Sequence, residues 1–348
     1  MKEENRQISL QTAVLPAGYT ILSELGKGSF CTVHLAVKTK AKNKVALKVL
    51  HTSTTAEPDL HFSLDHDNII SLFGSFEIER GQLVMVLEYA KHGDLFHYVR
   101  SRVRIGDTHA KIIFTDIVKG LCYLQSLLIV HRDLKPNNIL IDDFHRAKLA
   151  DFGHAKRYVM AKSSSTFQKP YTCQDDSFPP AQNGSCTKSN SAGSTMSYAM
   201  ALEEDMHMTP DLVKKSSEVY HITGEDNAAG HAEYPEVVSP AYAAPEVIDG
   251  ILHDNPMAED IWSLGVTLFY MVSGFLPFGS HTLASIRQAM NKPLRWRRPL
   301  SCVSRPCRRL VEAILTMEQS QRPTCVDVRN NCWVKETWSV ESAVTYGI

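Results

Sequence analysis

Residues 131–140 read His131-Arg132-Asp133-Leu134-Lys135-Pro136-Asn137-Asn138-Ile139-Leu140, and eighteen residues after Asp133 comes Asp151-Phe152-Gly153. No other feature constrains the chain as much. Two weaker signals precede it. Gly26-Lys27-Gly28 lies between two strand-like runs, where glycine permits a positive φ and lets the backbone approach a ligand. Such a hairpin tip can lie over phosphates, although two glycines also make an ordinary turn. Twenty residues beyond Gly28, Val45-Ala46-Leu47-Lys48 sets one lysine in an apolar strand. A buried ammonium needs a phosphate or a carboxylate; a surface one needs only to extend its tip into water.

Short β-type runs fill the first part of the chain: Thr20–Leu25, Thr32–Val37, Lys44–Leu50, Ile69–Phe76 and Leu83–Leu87, with turns at 26–28 and 41–43. From Asp94 onward the apolar spacing turns helical, as in Ala110–Leu127, Asp260–Val272 and Arg309–Met317. A small sheet-rich lobe followed by a larger helical one is expected. Between Lys162 and Gly230 the chain is rich in Ser, Thr, Asn, Asp and Gly with little apolar periodicity. Such a tract buries too little apolar surface to offset its ordering entropy and reads as a disordered insertion. Pro210–Val219, with Thr209 as cap, is the one helix candidate inside it.

His131–Leu140 and Asp151-Phe152-Gly153 are similar to the catalytic-loop and metal-loop signatures of eukaryotic protein kinases, at a spacing that fits the same family. The resemblance runs from about Tyr19 to Trp333, the insertion apart. It implies a two-lobed α+β protein kinase fold, with ATP in the cleft, Mg²⁺ as cofactor and a protein Ser or Thr hydroxyl as phosphate acceptor. The implied divisions are an N-terminal tail (1–18), an N-lobe with hinge (19–90), a C-lobe with the catalytic and metal loops (91–161), the insertion (162–230), the rest of the C-lobe (231–334) and a C-terminal tail (335–348).

By the same resemblance Asp133 accepts or orients the substrate proton and Lys135 balances charge on the transferring group. A lysine at that position resembles Ser/Thr rather than Tyr kinases. Asn138 and Asp151 supply hard oxygen ligands for Mg²⁺. Lys48 contacts the α- and β-phosphates under Gly26 and Gly28, Val33, Ala46 and Leu140 enclose the adenine, Leu87 is the gatekeeper, and the backbone from Glu88 to Ala90 forms the hinge. Ser239-Pro240-Ala241-Tyr242-Ala243-Ala244-Pro245-Glu246 resembles the end of an activation segment, closest to the AMP-activated and calcium/calmodulin-dependent branch. Asp260 resembles the aspartate that holds the catalytic loop, and Arg322 the arginine that pairs with Glu246. Asp94 matches an acidic position that favours a basic residue upstream of the target, while Asn137 stands where a second acid is often found.

Three departures bear on activity. Cys31 replaces the third glycine of the phosphate loop. Only eighteen residues separate Lys48 from His66, about ten fewer than usual, so much of the regulatory helix is missing. The glutamate that should pair with Lys48 falls on Glu57, followed by Pro58, which suits only a first helical turn; a helix from Glu57 to about Leu64 is expected, with Glu57 either reaching Lys48 or on the surface. His61 occupies an otherwise apolar position of the spine beside the site. Finally, Asp151 to Glu246 far exceeds the usual roughly 20 to 35 residues, and Pro235 stands where an activating threonine is expected. Arg132 could receive a phosphate carried instead by Thr209 or Thr223, placed by an upstream kinase.

Two readings follow: a protein serine/threonine kinase, or a pseudokinase scaffold whose shortened helix weakens activity. The net charge of -1 gives no overall attraction to nucleic acid or anionic membrane. The cysteines Cys31, Cys122, Cys173, Cys186, Cys302, Cys307, Cys325 and Cys332 show no C-x-x-C spacing, and reduced thiols in a cytoplasmic or nuclear protein fit them. No signal peptide and no membrane span are expected.

Overall fold

The computed structural model describes residues 14–15, 18–28, 30–51, 56–78, 81–158, 239–251, 255–279, 282–296 and 303–335. The insertion 162–230, with its helix candidate and phosphate-carrier candidates, and Pro235 lie outside them, as do all but Lys335 of the C-terminal tail and most of the N-terminal one.

An antiparallel sheet forms the smaller lobe from β1 (Val14–Leu15), β2 (Tyr19–Lys27), β3 (Cys31–Lys38), β4 (Lys44–Leu50), β5 (Leu72–Ile78) and β6 (Gln82–Glu88), in the order β1-β2-β3-β4-β6-β5. A helix, α1 (Glu57–Phe62), separates β4 from β5. The interior strand β4 is buried at every residue but Lys44. With side chains alternating across the sheet, Val45, Leu47 and Val49 join Tyr19, Ala36, Val84 and Val86 in a core on one face. Ala46 and Lys48 therefore point to the other.

The larger lobe is built around α3 (Asp107–Ser126) and α5 (Met257–Ser273), which pack with α2 (Leu95–Arg100), α4 (Pro245–Ile248), α6 (Leu283–Met290), α7 (Arg305–Ile314), α8 (Cys325–Asn330) and α9 (Cys332–Lys335). Its core includes the fully buried Phe114, Trp262, Phe269 and Trp333. Short strand pairs cross its upper surface: β7 (Ile129–Val130) with β10 (Lys156–Arg157), and β8 (Ile139–Ile141) with β9 (Ala147–Leu149). The loop 131–138 lies between β7 and β8, and the loop 150–155 between β9 and β10. No helix among the described residues is long and apolar enough to cross a membrane.

Several boundaries differ from the sequence expectation for identifiable reasons. The strand expected from Ile69 begins at Leu72, because Ile69 and Ile70 pair instead with Leu149, tying the small lobe to the large one. The turn expected at 26–28 starts later: Gly26 pairs with Val33 and Lys27 with Thr32, so β2 runs through both. The helix expected at Arg309 starts at Arg305, where the Ser304 hydroxyl accepts a hydrogen bond from the Cys307 N–H. Helix α1 starts at Glu57, as Pro58 requires, and stops at Phe62.

Candidate active site

Lys48 reaches from β4 into the cleft, where its Nζ donates to Glu57 Oε1 at 2.6 Å and to Asp151 Oδ1 at 2.8 Å. The sequence left Glu57 between a partner and a surface residue. The structure buries it on the lysine. Burial alone would lower the Lys48 pKa, but the charges of Asp151 and Glu57 outweigh it and hold the ammonium well above its usual range. Burial would likewise raise Asp151, and Lys48 reverses this, so the carboxyl lies below its ordinary value. Asp151 has φ of 63°, a left-handed conformation uncommon for non-glycine residues but one that aspartate adopts more readily than most.

A second cluster lies in the loop after β7. Asn138 Nδ2 donates to both the carbonyl oxygen and Oδ2 of Asp133, each at 2.8 Å. Lys135 Nζ donates to Asp133 Oδ2 at 2.7 Å and to Ser239 Oγ at 2.8 Å. Ser239 donates in turn to Asp133 Oδ1 at 2.6 Å. Ser239 has no role of its own among the residues singled out from the sequence. The signal was its place at the head of the Ser239–Glu246 run, seven residues before Glu246.

The remaining residues fall on surrounding strands. Val33 is opposite Lys48, and Ala46 opposite Leu87. Leu140 and Leu87 pack on Ile70, Ala90 and Ala150 in a small cluster of their own. Glu88 accepts from Lys148 Nζ at 2.9 Å and from the Ser71 N–H at 3.2 Å, fixing the strand end that leads to Ala90. At Gly26 and Gly28 the positive φ allowed by the sequence does not occur. A Cβ at Gly26 would meet nothing within 4 Å, so the fold itself makes no steric demand for glycine there. Cys31 is half-buried, and burial raises its thiol pKa. Asp94 is engaged locally, its Oδ1 accepting from the His97 N–H at 2.7 Å as the cap of α2.

The protein kinase domain family matches residues 19–173 and 225–334 of this sequence. The chain belongs to that family. Serine/threonine-protein kinase SIK1 of Rattus norvegicus is 28% identical to this kinase domain over 326 residues, 91% of this chain and 33% of that protein. SIK1 of Mus musculus is 28% identical over 326 residues, 91% of this chain and 32% of that protein. The same identity and shares, 28%, 91% and 32%, hold for serine/threonine-protein kinase SIK2 of Gallus gallus. The kinase domain thus spans about a third of the length of the relatives it matches.

In this kinase domain, buried polar contacts brace the loop after β7 from behind. Asp260 on α5 accepts from the backbone N–H groups of His131 at 2.7 Å and Arg132 at 2.9 Å, the latter with φ of 65°. Two backbone donors aimed at one carboxylate hold that strained turn. Arg322 clasps Glu246 through two hydrogen bonds, of 2.7 and 3.1 Å, and also donates to the Ala258 carbonyl at 2.7 Å.

Proposed function

We propose that the chain is an ATP-dependent protein serine/threonine kinase, transferring the γ-phosphate to a Ser or Thr hydroxyl of a protein. The observation that carries this reading is Lys48 held between Glu57 and Asp151, an ordered cationic point above a loop in which a hydroxyl already sits on Asp133. Phosphoryl transfer needs alignment and charge neutralisation more than covalent help. Lys48 would take the α- and β-phosphates, with the backbone at Gly26 and Gly28 above them and Val33, Ala46 and Leu140 around the adenine. The contact of the Ser239 hydroxyl with Asp133 Oδ1 marks where a substrate hydroxyl can be oriented and its proton received. Lys135, 2.7 Å from Asp133, would balance the charge of the moving phosphoryl group.

The donor set fits Mg²⁺. Both N–H bonds of the Asn138 amide are directed at Asp133, which leaves its carbonyl oxygen as the ligating atom, and Asp151 adds a carboxylate. Asn138 and Asp151 would hold the ion, which when bound neutralises phosphate charge. A preference for basic residues upstream of the target would rest on Asp94, whose capping role leaves less of the carboxylate for a substrate.

The competing scaffold reading draws on the six-residue length of α1. The test is Mg²⁺-dependent transfer from labelled ATP to the protein itself and to a basic Ser/Thr substrate, beside Asp133→Asn and Asp151→Asn. Transfer abolished in both variants is the expected result. Folded protein that transfers nothing, even after treatment with candidate upstream kinases, overturns the kinase reading in favour of the scaffold.

A further inference from the structure

Helix α1 carries two buried polar side chains, Glu57 and His61, four residues apart and so on one face. Six residues are far below the length at which a helix holds itself in water, and α1 begins with no side-chain cap. Its position must come from what its side chains touch. Glu57 holds Lys48 from the first residue of the helix. His61, in its last turn and 1% exposed, sets Nε2 2.6 Å from the carbonyl oxygen of Ile70. That carbonyl belongs to a residue whose own N–H donates to Leu149 at 2.9 Å, so the acceptor sits where the two lobes are joined. The His61 ring also lies 4.7 Å from that of Phe152, which in turn lies 5.2 Å from the His131 ring. Phe152 directly follows Asp151, the second carboxylate on Lys48.

We infer that His61 is a positioning residue for Lys48: by donating to Ile70 and packing on Phe152, it sets Glu57 and Asp151 in register on either side of the lysine. An apolar side chain of similar size would fill the space and withdraw the donor. The ring is suited to this as a neutral Nε2–H tautomer. Burial pushes its pKa down to about 4, against the opposing pull of the Ile70 hydrogen bond, and Lys48 lowers it further; the nearby Asp151 favours the charged ring and His131 disfavours it. Nδ1 is buried without a hydrogen-bond partner, so a proton there would be an unsatisfied charge.

The inference rests on the kinase reading only for what the lysine is used for, and its test is separable from activity. The reactivity of the Lys48 amine toward acetic anhydride, read by mass spectrometry on nucleotide-free protein, reports whether both carboxylates still hold it. In His61→Leu, reactivity should rise about tenfold, the counterpart of a 1.4 kcal/mol loosening. In His61→Gln, whose amide can restore a donor to Ile70, it should stay near wild type. Where transfer is measurable, KM for ATP should follow the same pattern with a smaller change in kcat. A folded Leu variant with wild-type Lys48 reactivity overturns the inference, as does a Gln variant as reactive as the Leu one. If neither variant folds, the ring nitrogen-15 shifts of His61 in the wild type decide: an Nε2–H tautomer that stays neutral to pH 5 is expected, and an Nδ1–H tautomer or ordinary titration overturns it. Absence of phosphoryl transfer by wild-type protein would sink the proposed function and leave this footprint readable.

Discussion

Glu57→Gln removes one negative charge from the most enclosed ion pair of the site while keeping the shape of the side chain. The carboxylate is 2.6 Å from Lys48 Nζ, with the two side chains 4% and 9% exposed. At an effective dielectric of about 20, unit charges at that separation attract by about 6 kcal/mol, before the desolvation of both groups is set against it. Breaking a buried pair by removing one partner costs about 3–5 kcal/mol when the other is left alone. Lys48 is not left alone: Asp151 stays 2.8 Å away, and the Gln carbonyl can still accept. The expected loss is therefore below that range, about 2 kcal/mol, or a fall of about 3–4 °C in Tm at roughly 2.1 cal/mol/K of unfolding entropy per residue.

Urea unfolding of nucleotide-free Glu57→Gln, Lys48→Met and the double variant measures the coupling directly. Lys48→Met should be the more damaging single change, because it leaves Glu57 and Asp151 near one another without the cation between them. Coupling of about 1–3 kcal/mol is expected. A Gln variant within about 0.5 kcal/mol of wild type and uncoupled to Lys48→Met would refute the argument, since such a change is ordinary for an exposed surface site. It would mean that α1 does not hold Glu57 on the lysine in solution.

Arg322→Met should destabilise by about 3–5 kcal/mol in chemical denaturation, because it strands the buried Glu246 carboxylate, and adding Glu246→Gln should recover part of the loss. Glu259 gives a pH test: burial first, then the neighbouring Asp260 and Glu246, against Arg132 and Arg322, push its pKa up to about 7. The folded state then keeps a proton that the unfolded chain releases near 4.5, so stability falls as pH rises through about 4.5 to 7, by as much as about 3 kcal/mol at 1.36 kcal/mol per unit. Glu259→Gln should flatten this decline in urea midpoints measured from pH 5 to 8; an unchanged slope would count against it.

The two polar loops were legible because their chemistry-bearing residues lie in contiguous runs whose spacing survives in one dimension. Asp133, Lys135 and Asn138 converge within a single turn, and eighteen residues bring Asp151 back through the β8–β9 hairpin. Other features depend on separations that a linear reading does not contain. Whether Glu57 met Lys48 turned on where a six-residue helix sits against the sheet, and nothing in residues 48–66 states that. Ile69 and Ile70 read as the start of a strand by composition, yet their partner is Leu149, about eighty residues away in the chain. Asp94 read as a recognition residue because its type matched, while the backbone N–H of His97 in the first turn of α2 competes for the same carboxylate.

The shortened helix and His61 at first weaken the case for an organised site, yet the contacts give the two departures a common account. The proposed chemistry requires one carboxylate from α1 at the tip of Lys48, and that residue is the first of the helix, the position that Pro58 tolerates. A longer helix would gain a fixed direction from packing many side chains along its length. With six residues, α1 has only one further turn, and an apolar residue in that turn would offer packing without direction. Histidine supplies both, a ring against Phe152 and a directed hydrogen bond to Ile70. The polar substitution in the spine is thus what a shortened helix needs if Glu57 is to stay on Lys48.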